Sequence, residues 1–322
     1  MPHPPTITVT RRLPPAVESA LAAEFDTRLN PGDRPLDPAA LRAAFTDSDA
    51  VLPTVSDRIG ADLFAEPRRA RIIANFGVGT DHIDLPAAAA AGLVVTNTPG
   101  VLTDCTADLA IALMLAVMRR LGEAERELRA GAWTGWRPTH MLGTRVTGKT
   151  LGIVGFGRIG RAVAHRAHHG FGMRILFHTP DAPPPGEYAA LEAEPRDSLE
   201  RMLEECDVVS IHCPATPETR HLIDAERLER MKPGSFLVNT ARGDVVDEAA
   251  LIDALGRGRP AGAGLDVYER EPALPASLLA LPNVVLLPHI GSAAIETRTA
   301  MGMRALENLR AFFAGREPPD RV

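Results

Sequence analysis

The sequence predicts an α/β protein built on parallel sheets, and three observations predict it. Short apolar strand patterns alternate with helical patterns nearly throughout, the signature of βαβ units. The chain has 322 residues, room for two or three domains. The alternation breaks once, over 130–148, where Gly, Pro and both Trp residues gather, and then a second series begins.

The first series reads as a strand at Thr6–Val9, a helix at Ala16–Phe25, and strands at Ala50–Leu52, Ile72–Phe76 and Leu93–Thr96. Pro99-Gly100 marks a turn. A long helix over Thr103–Arg119 follows. Its body, LAIALMLAVM, is apolar almost all round, which predicts burial on several sides. The second series reads as strand Thr150–Val154, helix Arg158–His169, and strands Arg174–Phe177, Val208–Ile211 and Ser235–Asn239. It continues with helix Asp247–Leu255 and strands Gly262–Leu265 and Val284–Leu286, and helix Ala293–Phe313 closes the chain. No short repeat is present. The run DAPPPG at Asp181–Gly186 cannot form regular structure and reads as an exposed loop.

Composition narrows the function classes. Lys and Arg number 35 against 41 Asp and Glu, a formal charge of −6, so nothing chain-wide attracts a polyanion and nucleic acid is not expected as a partner. No apolar run approaches the ~18–20 residues of a membrane span, and the start MPHPPTITVTRR has no basic region followed by an apolar stretch. The cysteines, Cys105, Cys206 and Cys213, are odd in number and lack a CxxC. A disulfide scaffold is excluded, no metal is expected, and a reducing, cytoplasmic setting is.

Gly155-Phe156-Gly157-Arg158-Ile159-Gly160 is the first motif with chemistry in it. GxGxxG alone says little. Here it follows the strand TLGIV and opens a helix, the context of a Rossmann dinucleotide site. The first glycine makes the turn and the second lets backbone approach a pyrophosphate. The third lets helix pack on strand, and the helix N-terminus supplies N–H donors. An acid usually ends the next strand of an NAD site, but that tip falls at His178-Thr179, and Asp181 comes two residues later. The missing carboxylate removes repulsion of a 2′-phosphate, though no Arg follows Thr179 to grip one. NADPH is therefore slightly favoured over NADH.

Three further residues lie at or just after strand ends, where ligands sit in open α/β sheets. Arg242, after SFLVN, can fork onto a carboxylate with two hydrogen bonds. Glu271 follows Asp266, itself at the end of AGAGL. His289 follows VVLLP. A His whose other ring nitrogen meets a carboxylate is held in one tautomer with its cation favoured, which suits a proton donor near neutral pH. Singly, these read equally as a surface Arg, a solvated acid and a loop His. Together, beyond a nucleotide fold, they point to a site.

The chain resembles the D-2-hydroxyacid dehydrogenase family. The motifs are GFGRIG, MKPGSFLVNTARGDVVDEAAL at Met231–Leu251, GLDVYEREP at Gly264–Pro272 and LPHIGSA at Leu287–Ala293. NFGVGTDHID at Asn75–Asp84 and NTPGVLTDCTADLAIALML at Asn97–Leu115 add to them. The resemblance implies two Rossmann-like, doubly wound domains. A dinucleotide-binding domain, 100–290, is inserted into a discontinuous substrate domain, 1–99 with 291–322, and carries a dimerisation arm at about 120–148. It also implies that Arg242 binds the substrate carboxylate and carbonyl, that Glu271 pairs with His289, and that His289 exchanges the proton. The N–H groups of Val78 and Gly79 hold the carboxylate. Asp266 binds the nicotinamide carboxamide, and Thr106 lies near the cofactor phosphates. The other implied cofactor contacts are Gly155, Gly157, Arg158, Ile159, Gly160, His178, Thr179, Pro214, Thr219, Thr240 and Gly291.

Within the family, the stretch WTGWRPTHMLG at Trp133–Gly143 is similar to the arm of glyoxylate/hydroxypyruvate reductases, where a Trp reaches the neighbouring subunit's site; Trp136 is the candidate. Packing of both Trp within the arm is the alternative. A homodimer reducing glyoxylate or hydroxypyruvate with NAD(P)H is thus implied. Phosphoglycerate dehydrogenase is a rival within the family, and a dinucleotide-sensing corepressor a rival outside catalysis. His82 departs from the Asn of many relatives, and Thr179 from the Asp of strict NAD users.

Overall fold

A computed structural model describes residues 3–65, 67–181 and 183–322. The chain divides into two compact units, Met1–Leu102 with Ser292–Val322, and Thr103–Gly291.

The first unit holds a five-stranded, all-parallel sheet. Its strands are β1 (Thr6–Val9), β2 (Asp26–Arg28), β3 (Ala50–Leu52), β4 (Ile72–Ala74) and β5 (Val94–Thr96), in the order β2-β1-β3-β4-β5. Strand order reverses between β1 and β3, the mark of a doubly wound sheet. Helices Pro15–Glu24, Pro38–Asp47 and Leu85–Ala90 connect the strands. Each has Pro in its first turn, and Asp37 and Asp84 accept from the N–H of Ala40 and Ala87 at two of the starts. Helix Ile295–Phe313 returns against the amino-terminal helix. A Cβ on Gly302 would lie 2.5 Å from Val17, so only glycine permits that approach. Phe45, Val51, Ile59, Ile73 and Val95 fill the core.

The second unit holds seven parallel strands: β6 (Thr150–Val154), β7 (Arg174–His178), β8 (Glu194–Pro195), β9 (Val208–Ile211), β10 (Phe236–Asn239), β11 (Gly262–Leu265) and β12 (Val284–Leu286). The order is β12-β11-β10-β9-β6-β7-β8, again doubly wound, with the reversal between β6 and β9. The apolar helix Thr103–Met118 lies on this sheet. Cβ atoms on Gly262 and Gly264 would meet Val117 at 2.9 Å and Leu113 at 3.0 Å, so the AGAG run is what lets it settle. Helix Arg158–Phe171 starts at Gly157 without a side-chain cap and ends at Gly172 in the left-handed conformation. Helices Leu199–Glu205, Ala225–Arg230 and Glu248–Gly256 start on the capping side chains of Ser198, Asp224 and Asp247.

The differences from the sequence reading are local. β4 stops at Ala74 rather than Phe76; Phe76 keeps a single bridge to Thr54, and the chain then enters a loop organised by Asn75. β7 extends through His178, and the last helix begins at Ile295. The segment 130–149 carries no helix or strand and follows a helix, Leu121–Arg129, that the pattern did not suggest. Pro185 and Gly186 of DAPPPG open a 3₁₀ turn, Pro185–Glu187, while Ala182 lies outside the described residues. Among the described residues no helix is long and apolar enough to cross a membrane.

Candidate active site

The site is built on the carboxyl ends of β6, β10, β11 and β12. Its three motif glycines do different work. Gly155 has φ +89°, and a Cβ there would lie 2.6 Å from the Cys213 nitrogen. A Cβ on Gly160 would lie 2.3 Å from the Gly155 carbonyl oxygen. Gly157 has nothing within 4 Å of such a Cβ and an ordinary φ of −76°. Among the described residues no protein group demands glycine there. What an added methyl group would fill is space beside an uncapped helix N-terminus, where an anion is held best.

Beyond β10, Asn239 shapes the turn that carries Arg242. Its amide nitrogen donates to the Arg242 carbonyl at 2.8 Å, and its Oδ1 accepts from the Ala241 N–H at 3.0 Å. The Arg242 guanidinium donates to the Ala241 carbonyl at 2.7 Å. Thr240, buried in the same turn, has a hydroxyl that meets no partner among the described residues. Gly243 then packs against backbone: a Cβ there would lie 1.9 Å from the Tyr268 carbonyl carbon. The Arg242 turn and the Glu271 segment are thereby locked together.

Beyond β11, Asp266 is fully buried. Its two oxygens accept from the N–H groups of Ile290 at 2.7 Å and Gly291 at 2.8 Å, and its carbonyl from that of His289 at 2.9 Å. Burial raises its pKa, against the pull of those N–H groups and the His289 ring. This grip holds His289 at φ +54°, a conformation costly for any residue but glycine. Gly291 lies between Asp266 and Thr106, the latter at the start of its helix: a Cβ on Gly291 would meet the Asp266 carboxylate at 3.3 Å and the Thr106 methyl at 3.5 Å.

Glu271 Oε2 accepts from His289 Nδ1 at 2.7 Å, and its Oε1 from the Tyr268 N–H at 3.0 Å. Burial opposes its ionisation. The His289 hydrogen bond and charge, the Tyr268 N–H and the Arg242 charge outweigh burial and hold the carboxyl below its usual range. An ionised carboxylate only accepts, so Nδ1 carries a hydrogen and Nε2 is the nitrogen left to exchange a proton. The buried Tyr268 hydroxyl lies 2.8 Å from the Leu287 carbonyl and 3.2 Å from that of Leu265, bracing the ends of β11 and β12. Sequence reasoning missed Asn239, Gly243 and Tyr268, although all three stand inside the motifs it quoted.

The remaining sequence-named residues are placed as follows. Ile159 packs against the core, and Arg158 is exposed at the first position of its helix. His178 ends β7 and donates from Nδ1 to the Arg196 carbonyl at 2.8 Å; Thr179 follows, half-buried. The Thr219 hydroxyl donates to the Pro214 carbonyl at 2.7 Å and accepts from the Thr216 N–H at 2.8 Å, so it closes a turn after β9. Trp136 is 83% exposed and Trp133 51%. Val78 and Gly79 belong to the first unit, in the loop after β4. Their carbonyls and that of Gly77 are taken by side-chain amides: Gly77 and Gly79 by Asn75 at 3.1 and 2.9 Å, Val78 by Asn97 at 2.8 Å.

A doubly wound sheet with a glycine-lined helix start, and a His–Glu pair beside an Arg at neighbouring strand ends, define a dinucleotide-dependent oxidoreductase. The model of the D-isomer specific 2-hydroxyacid dehydrogenase NAD-binding domain matches residues 111–291. A glyoxylate reductase from Korarchaeum cryptofilum is 47% identical over 320 residues, covering 99% of this chain and 96% of that one. A solved protein from Thermus thermophilus is 46% identical with a TM-score of 0.90, covering 98% of this chain and 99% of that one. An NADPH-dependent glyoxylate/hydroxypyruvate reductase from Sinorhizobium meliloti, solved with NADP and malonate, is 40% identical with a TM-score of 0.87, covering 99% of this chain and 96% of that one. The chain belongs to the D-isomer specific 2-hydroxyacid dehydrogenase family, and it is an NAD(P)-dependent dehydrogenase.

Proposed function

We propose that the protein reduces a small 2-oxo acid, glyoxylate or hydroxypyruvate, to the D-2-hydroxy acid, as a cytoplasmic homodimer with NADPH slightly favoured. The observation that carries this reading is the Glu271–His289 pair at 2.7 Å, beside Arg242 and beyond the strand ends of a dinucleotide fold. The open space at Gly157, the uncapped helix start and the unpartnered Thr240 hydroxyl fit a bound dinucleotide. Gly155–Gly160 hold its pyrophosphate. Thr106, His178, Thr179, Pro214, Thr219, Thr240, Asp266 and Gly291 line the rest of its path. NAD(P)H, when bound, supplies the hydride for C2 of the oxo acid.

The chain's residues do the remainder. Arg242 forks onto the carboxylate and polarises the carbonyl, and the N–H groups of Val78 and Gly79 hold the carboxylate. His289 gives its Nε2 proton to the C2 oxygen, and Glu271 keeps the ring oriented. The relatives named glyoxylate and glyoxylate/hydroxypyruvate reductase support this substrate class. Thr179, which leaves the β7 tip without an acid, supports tolerance of a 2′-phosphate. Exposed Leu121, Leu128, Trp133, Trp136 and Leu142 make the surface from 121 to 142 one that a second copy would cover, with Trp136 reaching its site.

The test is a kinetic panel: glyoxylate, hydroxypyruvate, pyruvate and 3-phosphohydroxypyruvate, each with NADH and NADPH, followed by loss of reduced-nicotinamide absorbance. The highest kcat/KM is expected for one of the first two. A clear preference for the phosphorylated acid would overturn the substrate assignment, and no turnover with any of the four would overturn the activity.

A further inference from the structure

The loop after β4 presents a run of donors whose aim depends on a residue outside it. In a trans peptide, C=O and N–H point in opposite directions. Fixing the carbonyls of Gly77, Val78 and Gly79 therefore fixes the N–H groups of Val78, Gly79 and Thr80 the other way. All three carbonyls are fixed. Asn75 Nδ2 donates to Gly77 and Gly79, Asn97 Nδ2 to Val78, and the Thr98 N–H adds a second bond to Gly77 at 3.0 Å. Among the described residues no protein group accepts from the N–H of Val78, Gly79 or Thr80. Three successive N–H groups are thereby left without acceptors, available to the oxygens of an anion.

Asn75 sets the first and last of the three, and its own orientation is set by His82. With both hydrogens of Nδ2 on carbonyls, the amide oxygen faces His82 Nε2 at 3.0 Å. The flipped amide would set its oxygen against two carbonyl oxygens, so the orientation follows from chemistry. His82 Nε2 must then be the donor, in either charge state of the ring. The His82 backbone is anchored in turn: its carbonyl accepts from the Ile59 N–H at 2.9 Å, and Ile59 and Ile83 form a bridge. Asn75 is completely buried, so no water can replace the ring as its partner without opening the loop.

We propose that His82 is a positioning residue for substrate binding: through Asn75 it aims the N–H groups of Val78, Gly79 and Thr80 as a three-donor site for the carboxylate. This rests on the proposed function in taking a 2-oxo acid as the anion and the N–H groups of Val78 and Gly79 as holding its carboxylate.

His82→Leu and His82→Gln separate this role from packing, because the Gln amide nitrogen can stand where Nε2 does and Leu cannot donate. KM for glyoxylate, inhibition by malonate, NADPH affinity and melting temperature are measured on each. His82→Leu is expected to raise KM and the malonate inhibition constant by about tenfold, with kcat and NADPH affinity within about twofold of wild type. His82→Gln is expected to bring both constants back to within about threefold. Unchanged constants in His82→Leu would overturn the proposal, as would equal losses in Leu and Gln or a loss matched by weaker NADPH binding. A wild-type protein that turns over no 2-oxo acid yet binds malonate, with His82→Leu losing it, would overturn the activity and leave this inference standing. Binding of neither would overturn both.

Discussion

Two loops follow strand ends and offer main-chain N–H groups, and they aim them by different means. Gly155–Gly160 follows β6 and opens a 14-residue helix, so helix geometry points the donors. Asn75–His82 follows β4, and the next helix, Leu85–Ala90, begins only later. There the aim comes from side-chain amides that pull carbonyls aside. The first device needs residues with no side chain. The second needs particular side chains, and it fails when one of them loses a donor.

The largest effect that separates the two devices is expected at Gly155. Alanine there meets backbone and must hold φ +89°, a cost of about 3 kcal/mol that falls on the fold as well as the loop. NADPH affinity should drop by roughly a hundredfold and the melting temperature should fall with it. Calorimetric titration and thermal unfolding check both; affinity lost with no change in melting would put the strain elsewhere.

Asn75→Leu is the counterpart in the second loop. It keeps the branched shape, strands the Gly79 carbonyl and His82, and leaves Gly77 only its Thr98 N–H, so about 2 kcal/mol should be lost, or roughly thirtyfold in KM for the oxo acid. NADPH affinity should hold, and a parallel fall in nucleotide binding would erase the distinction between the loops.

Main-chain donors do not titrate, so neither loop accounts for a pH dependence, and the Glu271–His289 pair does. The Glu271 pKa is depressed, so its stabilising ionised form is present above the ordinary carboxylate range and is lost as pH falls through the lowered value. At neutral pH it is ionised. Reduction requires the protonated ring, so kcat/KM for reduction should fall as pH rises, and oxidation of the hydroxy acid should show the opposite limb. Glu271→Gln removes the carboxylate that holds the His289 ring, and kcat/KM for reduction should fall by at least about tenfold, read from pH–rate profiles. An undiminished kcat/KM would assign the proton to another group.

The smallest effect sharpens the comparison most. Gly157→Ala meets no protein atom, so the melting temperature should stay put while NADPH binding weakens by about fivefold, roughly 1 kcal/mol. A melting temperature that falls as it does for Gly155→Ala would mean that Gly157 serves the fold.

The same contrast explains what was legible in the sequence. The glycine loop could be read because its requirement is local: a strand, three glycines and a helix. Arg242, Asp266, Glu271 and His289 could be read because strand ends collect polar groups. The work of Asn75 and His82 could not, since it depends on bonds between side chain and backbone that exist only once the chain has folded. β2, with sequence DTR, and β8, with sequence EP, are polar edge strands paired on one side, and they carry no apolar alternation to notice. Helices Leu199–Glu205 and Ala225–Arg230 are too short for a stripe, although Ser198 and Asp224 signal their starts. Tyr268 stood inside a quoted motif, but a hydroxyl that reaches the carbonyls of two strands leaves no trace in spacing.

Gly243 bears on how this scaffold can be taught new substrates. With the Tyr268 backbone 1.9 Å from where a side chain would begin, that position admits one amino acid, and the segments on either side of the contact must change together or not at all. A mutagenesis library that samples 242–243 and 268–271 independently would consist mostly of inactive clones. Diversity is better spent on the exposed stretch around Trp136, where a changed side chain does not have to be matched by a second change elsewhere.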